Sequence, residues 1–139
     1  MDFELIDYSD VYFLRIERRS DVPGERNGKF VQIRNEAEER EYLVLSPKEL
    51  SKDHGNIVER FCMKHAIEGA YNERKDYFEI HDGDWQVIGG GIWRIDEEGK
   101  VLELSGSSQM YGKFDGAGLK SRIRTVDPFS GYGILIDGL

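Results

Sequence analysis

A chain of 139 residues is long enough for one domain with a real core and short for two, so residues 1–139 are read as a single domain. Hydrophobic residues at 39% and charged residues at 33% suit a globular protein, and a formal net charge of −8 argues against nucleic-acid or anionic-membrane partners, which demand clustered Lys and Arg. Cys62 is the one cysteine, the acidic opening MDFELIDYSD lacks the regions of a signal peptide, and no apolar run nears the roughly 20 residues of a membrane helix, so a reducing cytoplasm is expected.

Taken in order, Phe3–Arg18 holds a predicted strand at Val11–Ile16, rich in β-branched and aromatic residues. Pro23-Gly24 and Asn27-Gly28 are turn chemistry. Lys29–Arg34 (KFVQIR) is a second strand, with Phe30 and Gln32 on one face and Lys29, Val31 and Ile33 on the other. Tyr42–Leu45 is a third. The period then changes. Ser46-Pro47-Lys48-Glu49 has the residues of a helix start, a turn is expected over 47–52, and the main helix over His54–Glu68. Ile57, Val58, Phe61, Cys62 and His65 share its apolar face, and Gly69 is expected to cap its end.

Tyr77–Ile80 reads as a short strand and Asp82-Gly83-Asp84 as a hairpin turn. The stretch Trp85–Gly112 reads as strand, glycine triplet (Gly89-Gly90-Gly91), strand, turn (Glu97–Lys100), strand (Val101–Leu104) and a polar Gly-Ser loop. A short helix follows around Ala117–Arg124, Pro128, Gly131 and Gly133 break the pattern, and Gly133–Asp137 is a last strand. Strands in runs, without strict βαβ alternation, imply α+β: a mixed, mainly antiparallel sheet of about six strands with one main and one minor helix.

Several residues carry possible chemistry. The loop Ser105–Gly112 can present bare N–H groups and the hydroxyls of Ser107 or Ser108 to an anion, or be an ordinary connection. Three consecutive glycines mark either a bulge or a close approach by backbone or ligand. His54, at a helix start, has the ordinary pKa of a general base at neutral pH. Lys29 and Arg94 are cations suited to a phosphate. His65 and Cys62 read as core. His81 beside Asp82 offers too few ligands for a metal, so neither metal nor cofactor is expected. Gly116–Ser121 lacks the Gly-Lys-Ser/Thr ending of a P-loop.

Four of these segments, in this order, resemble the Janus/Ocnus family, whose best-known member is a small phosphohistidine phosphatase. They are Lys29–Arg34, His54-Gly55-Asn56-Ile57, Gly89-Gly90-Gly91, and Ser108-Gln109-Met110-Tyr111-Gly112. The resemblance implies metal-independent hydrolysis of a P–N bond in proteins or peptides. His54 would activate water. Ser108, with the amides around Gly55, Gln109 and Met110, would hold the phosphoryl oxygens, and Lys29 would neutralise charge. The family's Arg after the glycines is Ile92 here, and Arg94 keeps the same strand face. A second family His has no counterpart, Lys113 being the nearest cation, and the segment Ala70–Asp84 is longer than the family's.

The expected function is therefore a phosphohistidine phosphatase. The alternatives are a non-catalytic module of the same fold that binds a small anion or a phosphorylated protein, and a structural or interaction protein whose glycines merely bend the sheet. No nucleic-acid or membrane partner is expected, and the oligomeric state is open.

Overall fold

Alternation along KFVQIR organises the whole sheet. In the computed structural model, which describes residues 1–127 and 129–139, the segment lies in the central strand β2 (Glu25–Asn35). Val31 and Ile33 bury on one face and Phe30 on the other, each fully buried. β3 (Arg40–Pro47) repeats the pattern out of phase, Tyr42 and Val44 joining the first face, Leu43 and Leu45 the second. Two apolar layers result, one on each side of the sheet.

The sheet has six strands in the order β1-β3-β2-β6-β7-β8, where β1 is Asp2–Asp7, β6 Trp85–Asp96, β7 Val101–Ser105 and β8 Gly133–Ile136. The three inner pairings are antiparallel, while the outer pairs β1–β3 and β7–β8 are parallel. Helix α1 (His54–Lys64) packs Ile57, Val58, Phe61 and Cys62 onto the Val31 face, and α2 (Leu119–Arg124) packs Leu119 and Ile123 onto the Phe30 face. The α+β architecture and the mainly antiparallel six-stranded sheet follow the sequence expectation. The expected break at Pro128 lies outside the described residues.

Four local expectations are corrected. Val11–Ile16 is a π-helical turn, not a strand, and the edge strand comes earlier, at β1. Asp7 ends that strand by accepting bonds from the Ser9 amide (2.9 Å) and hydroxyl (2.6 Å), so the β-prone residues that follow have no ladder to join. Ser46 and Pro47 close β3 and do not start a helix. The capping box is Asp53 with Asn56: the Asp53 side chain accepts the Asn56 amide, and the Asn56 side chain accepts the Asp53 amide at 3.0 Å. Nor does Gly69 cap α1. The helix stops at Lys64, Ala66 turns left-handed (φ 54°), and the Ile67 amide returns to the Cys62 carbonyl at 2.9 Å. Gly69 instead begins β4 (Gly69–Tyr71), which pairs with β5 (Phe78–Ile80) as a separate two-stranded sheet beside α1. The Asp82–Asp84 turn thus joins two sheets and makes no hairpin.

Two buried polar devices hold the elements that carry the site. The Trp93 indole N–H donates to the carbonyls of Lys29 and Ser46, both at 3.0 Å, and so ties β6 to β2 and β3 beside Pro47, which has no amide to give. Glu41, 2% exposed, accepts from Gln32 (2.7 Å) and Arg34 (3.0 Å) and pairs with Arg122 of α2 (2.6 Å). Gln32 also accepts the Asp115 amide at 2.7 Å, fastening the chain just after the Gly-Ser loop.

Trp93→Phe keeps most of the apolar bulk but leaves two buried carbonyls without this donor. It should lower the unfolding free energy by about 1–3 kcal/mol, measured by urea denaturation. An unchanged midpoint would show that the indole bond is not needed.

Candidate functional site

His54 is the first residue of α1, placed there by the Asp53–Asn56 capping box. Its ring turns back over β6, and its Nε2 lies 2.9 Å from the Gly91 carbonyl. A carbonyl oxygen only accepts, so Nε2 carries the proton and the lone pair resides on Nδ1. Burial pushes the imidazole below its ordinary value of 6.5, the nearby Lys29 charge adds to the shift, and the Gly91 bond and Asp53 oppose it. The net result is a neutral imidazole, tautomer set, with one free basic nitrogen.

The glycines make that approach possible. A Cβ on Gly90 would sit 2.8 Å from His54 Cδ2 and 2.6 Å from the Phe30 carbonyl oxygen, closer than carbon atoms pack. On Gly89 it would collide with the Lys113 carbonyl. A bulge is also present, since the β2–β6 register slips between Gln32 and Ile33 and leaves Ile88 out of the ladder. It lies just ahead of the triplet, so the glycines themselves serve close approach.

Beyond the Ile92–Ser105 pair, β7 no longer accompanies β6, and the loop 106–113 takes its place. The Gly90 amide donates to the Gly112 carbonyl at 3.1 Å. Ser108 and Gly112 exchange two backbone bonds, of 3.0 and 2.8 Å, and the Tyr111 amide donates to Ser108 Oγ at 3.1 Å. This leaves the amides of Gln109 and Met110 without a partner among the described residues, and the Ser108 hydroxyl proton free to donate. The Gly55 amide, in the first turn of α1, is likewise unpartnered among the described residues, as helix starts leave their first donors.

Lys29, His54, Ser108, Gln109 and Met110 line one cleft of about 180 Å³, together with Asp53 and Asp76. Gly55 adjoins it through His54. Lys29 reaches it from β2 and donates its ammonium to the Lys52 carbonyl at 2.7 Å. A helix N-terminus, a cation, a hydroxyl and bare amides are groups that attract an anion, and here they share a small space with the carboxylates of Asp53 and Asp76. Arg94 is the exception. Its guanidinium lies 3.6 Å from Glu103, where β6 and β7 are still paired, and it lines a neighbouring groove. Lys113 is also turned away, bonded to Asp137 at 2.7 Å.

His65 stacks on Phe61 (4.1 Å between ring centres) and His81 is exposed. Burial raises the Cys62 thiol to about 11, so it stays protonated within the core. Among the described residues, no three His, Cys, Asp or Glu side chains gather as metal ligands do. Two cleft residues escaped the sequence reading. Asp53 was legible as half of a capping box. Asp76 was not, because only the fold brings its segment to α1: the Asp76 carbonyl packs on Gly55, where a Cβ would lie 2.8 Å away. Tyr111 secures the same contact, its hydroxyl accepting the Phe78 amide (2.8 Å) and donating to the Phe78 carbonyl (2.7 Å).

A family model described as Janus/Ocnus matches residues 21–132, and the chain belongs to that family. No curated protein matches the chain.

The His54 ring should titrate below 6.5 when followed by proton NMR, so that it is neutral at pH 7. Lys29→Met removes a nearby positive charge and should move the midpoint upward, though not fully back, because burial is the larger cause. A midpoint above 6.5 in the wild type would contradict the buried, Lys29-facing position.

Proposed function

We propose that this Janus/Ocnus chain is a phosphatase that hydrolyses phosphohistidine, a P–N bond, in proteins or peptides. The observation that carries the proposal is the pairing of His54 Nε2 with the Gly91 carbonyl, which leaves a neutral Nδ1 beside a cleft of anion-binding groups.

The phosphoryl group would lie in the cleft with its oxygens on the Gly55, Gln109 and Met110 amides and the Ser108 hydroxyl. Lys29 would balance the charge. Water attacks phosphorus while Nδ1 takes its proton. The P–N electron pair returns to the leaving imidazole nitrogen, and His54 then releases its proton to solvent. Phosphoryl transfer asks the protein chiefly for positioning and charge stabilisation, which fixed amides and one cation supply. The lining contains a single imidazole. That suits P–N chemistry, because an imidazole protonated on its other nitrogen leaves as a neutral base, whereas a phosphate ester needs an acid for its alkoxide. The working ions are the protein's own, so the reaction proceeds with a chelator present.

Release of phosphate from a phosphohistidine peptide, with EDTA present, tests the proposal. Wild type should turn over, and His54→Ala should lower kcat by about 10²–10⁴-fold. The rate should fall only at a pH below 6.5, since protonating Nδ1 abolishes the base and the folded ring resists protonation. Equal rates in wild type and variant would remove His54 as the base. Absence of turnover, with inorganic phosphate still bound, would instead favour the non-catalytic anion-binding module.

A further inference from the structure

Beside the phosphate cleft, and sharing Lys29 with it, runs a larger groove of about 540 Å³. Lys29, Lys48, Lys52 and Arg94 line it, against the single carboxylate of Glu103. The chain as a whole has a net charge of −8, so the sign of this groove is opposite to that of the chain overall. The side chains of Lys48 and Lys52 have no ion-pair or hydrogen-bond partner among the described residues, and the Arg94–Glu103 separation of 3.6 Å is long for a charged bond.

The fold builds this concentration of charge deliberately close to the site. The turn after β3 folds back over β2, where the Lys48 amide donates to the Asn27 carbonyl at 3.1 Å. Gly28 permits the fold, because a Cβ there would collide with the Ser46 carbonyl. Lys48 and Lys52 are thereby set on one wall. Ile92, 52% exposed, faces the groove from β6 and offers an apolar contact.

We propose that the groove receives an acidic stretch of the substrate polypeptide, a run of Asp or Glu flanking the phosphorylated residue. The inference rests on the phosphatase reading for the position of the phosphoryl group, which Lys29 links to the groove. Charge complementarity selects an anionic occupant. A short acidic peptide fits the groove's size, whereas a long nucleic-acid backbone would leave it and meet a negative surface. Lys29 then contacts both parts of the substrate, and the groove distinguishes proteins by sequence around a phosphoryl group that all of them share.

Fluorescence anisotropy with short unphosphorylated peptides tests this without relying on hydrolysis. A Glu-rich peptide should bind wild type about tenfold or more tightly than its Gln counterpart at low salt, and the difference should shrink as salt screens the lysines. The double variant Lys48→Ser/Lys52→Ser should lose the preference, and Arg94→Gln should weaken it. All three side chains are exposed, and thermal unfolding verifies that the variants fold. Equal binding of the two peptides, a preference that survives the double variant, or an oligothymidylate bound as tightly as the Glu-rich peptide would overturn the inference. Selective peptide binding without phosphohistidine turnover would leave the groove standing and remove the phosphatase reading. Turnover without flank preference would do the reverse.

Discussion

How closely other groups may approach β6 between Gly89 and Gly91 governs the whole site. With three side chains absent, the His54 ring closes on Gly90 and the Lys113 backbone closes on Gly89. A single methyl group at either place would drive the helix start or the Gly-Ser loop outward. The Gly91 carbonyl then orients the imidazole it receives. The glycines weaken a strand's intrinsic preference, and the surrounding pairing offsets this: β2 runs beside the triplet along its whole length, and Trp93 fastens the strand just beyond it.

The remaining parts of the fold hold the groups that meet over that triplet. Asp53 and Asn56 start α1 so that His54 is its first residue, leaving the Gly55 amide unclaimed in the first turn. Gln32, Glu41 and Arg34 anchor Asp115, and so hold the loop that presents Gln109 and Met110. The β4–β5 pair, through Tyr111 and the Asp76 carbonyl, braces both sides of the cleft. Backbone amides and one lysine thus meet in a single cleft, beside Asp53 and Asp76, within a chain of net charge −8. An acidic protein can present an anion site in this way, because amides at fixed positions need no net charge.

Local pattern was legible wherever residues face one neighbour at a time. Alternation in Lys29–Arg34 placed Val31 and Ile33 opposite Phe30, and helical spacing placed Ile57, Val58, Phe61 and Cys62 on one face, as found. The order of motifs pointed to the family that matches residues 21–132, and Lys29, His54, Ser108, Gln109 and Met110 do converge. Where a distant partner decides, sequence reasoning failed. Val11–Ile16 has strand propensity but no strand to pair with. Gly69 had the right chemistry for a helix end, yet Ala66 made the turn because Ile67 packs against the α1 layer. Arg94 shares a strand face with Ile92, but β7 is still beside it there, so its side chain lies near Glu103 and lines the neighbouring groove. Asp76 reaches the cleft through a pairing of β4 with β5 that no periodicity announces.

The central claim is that His54 presents a free Nδ1 to a phosphate site because Gly91 holds its Nε2 proton. Nitrogen-15 NMR of the uniformly labelled protein, titrated with inorganic phosphate, tests it most directly. The expected spectrum shows the Nε2–H tautomer of a neutral ring, with phosphate perturbing Nδ1 together with the amides of Gly55, Gln109 and Met110. An Nδ1–H tautomer, or phosphate shifts that leave those amides untouched, would contradict the account.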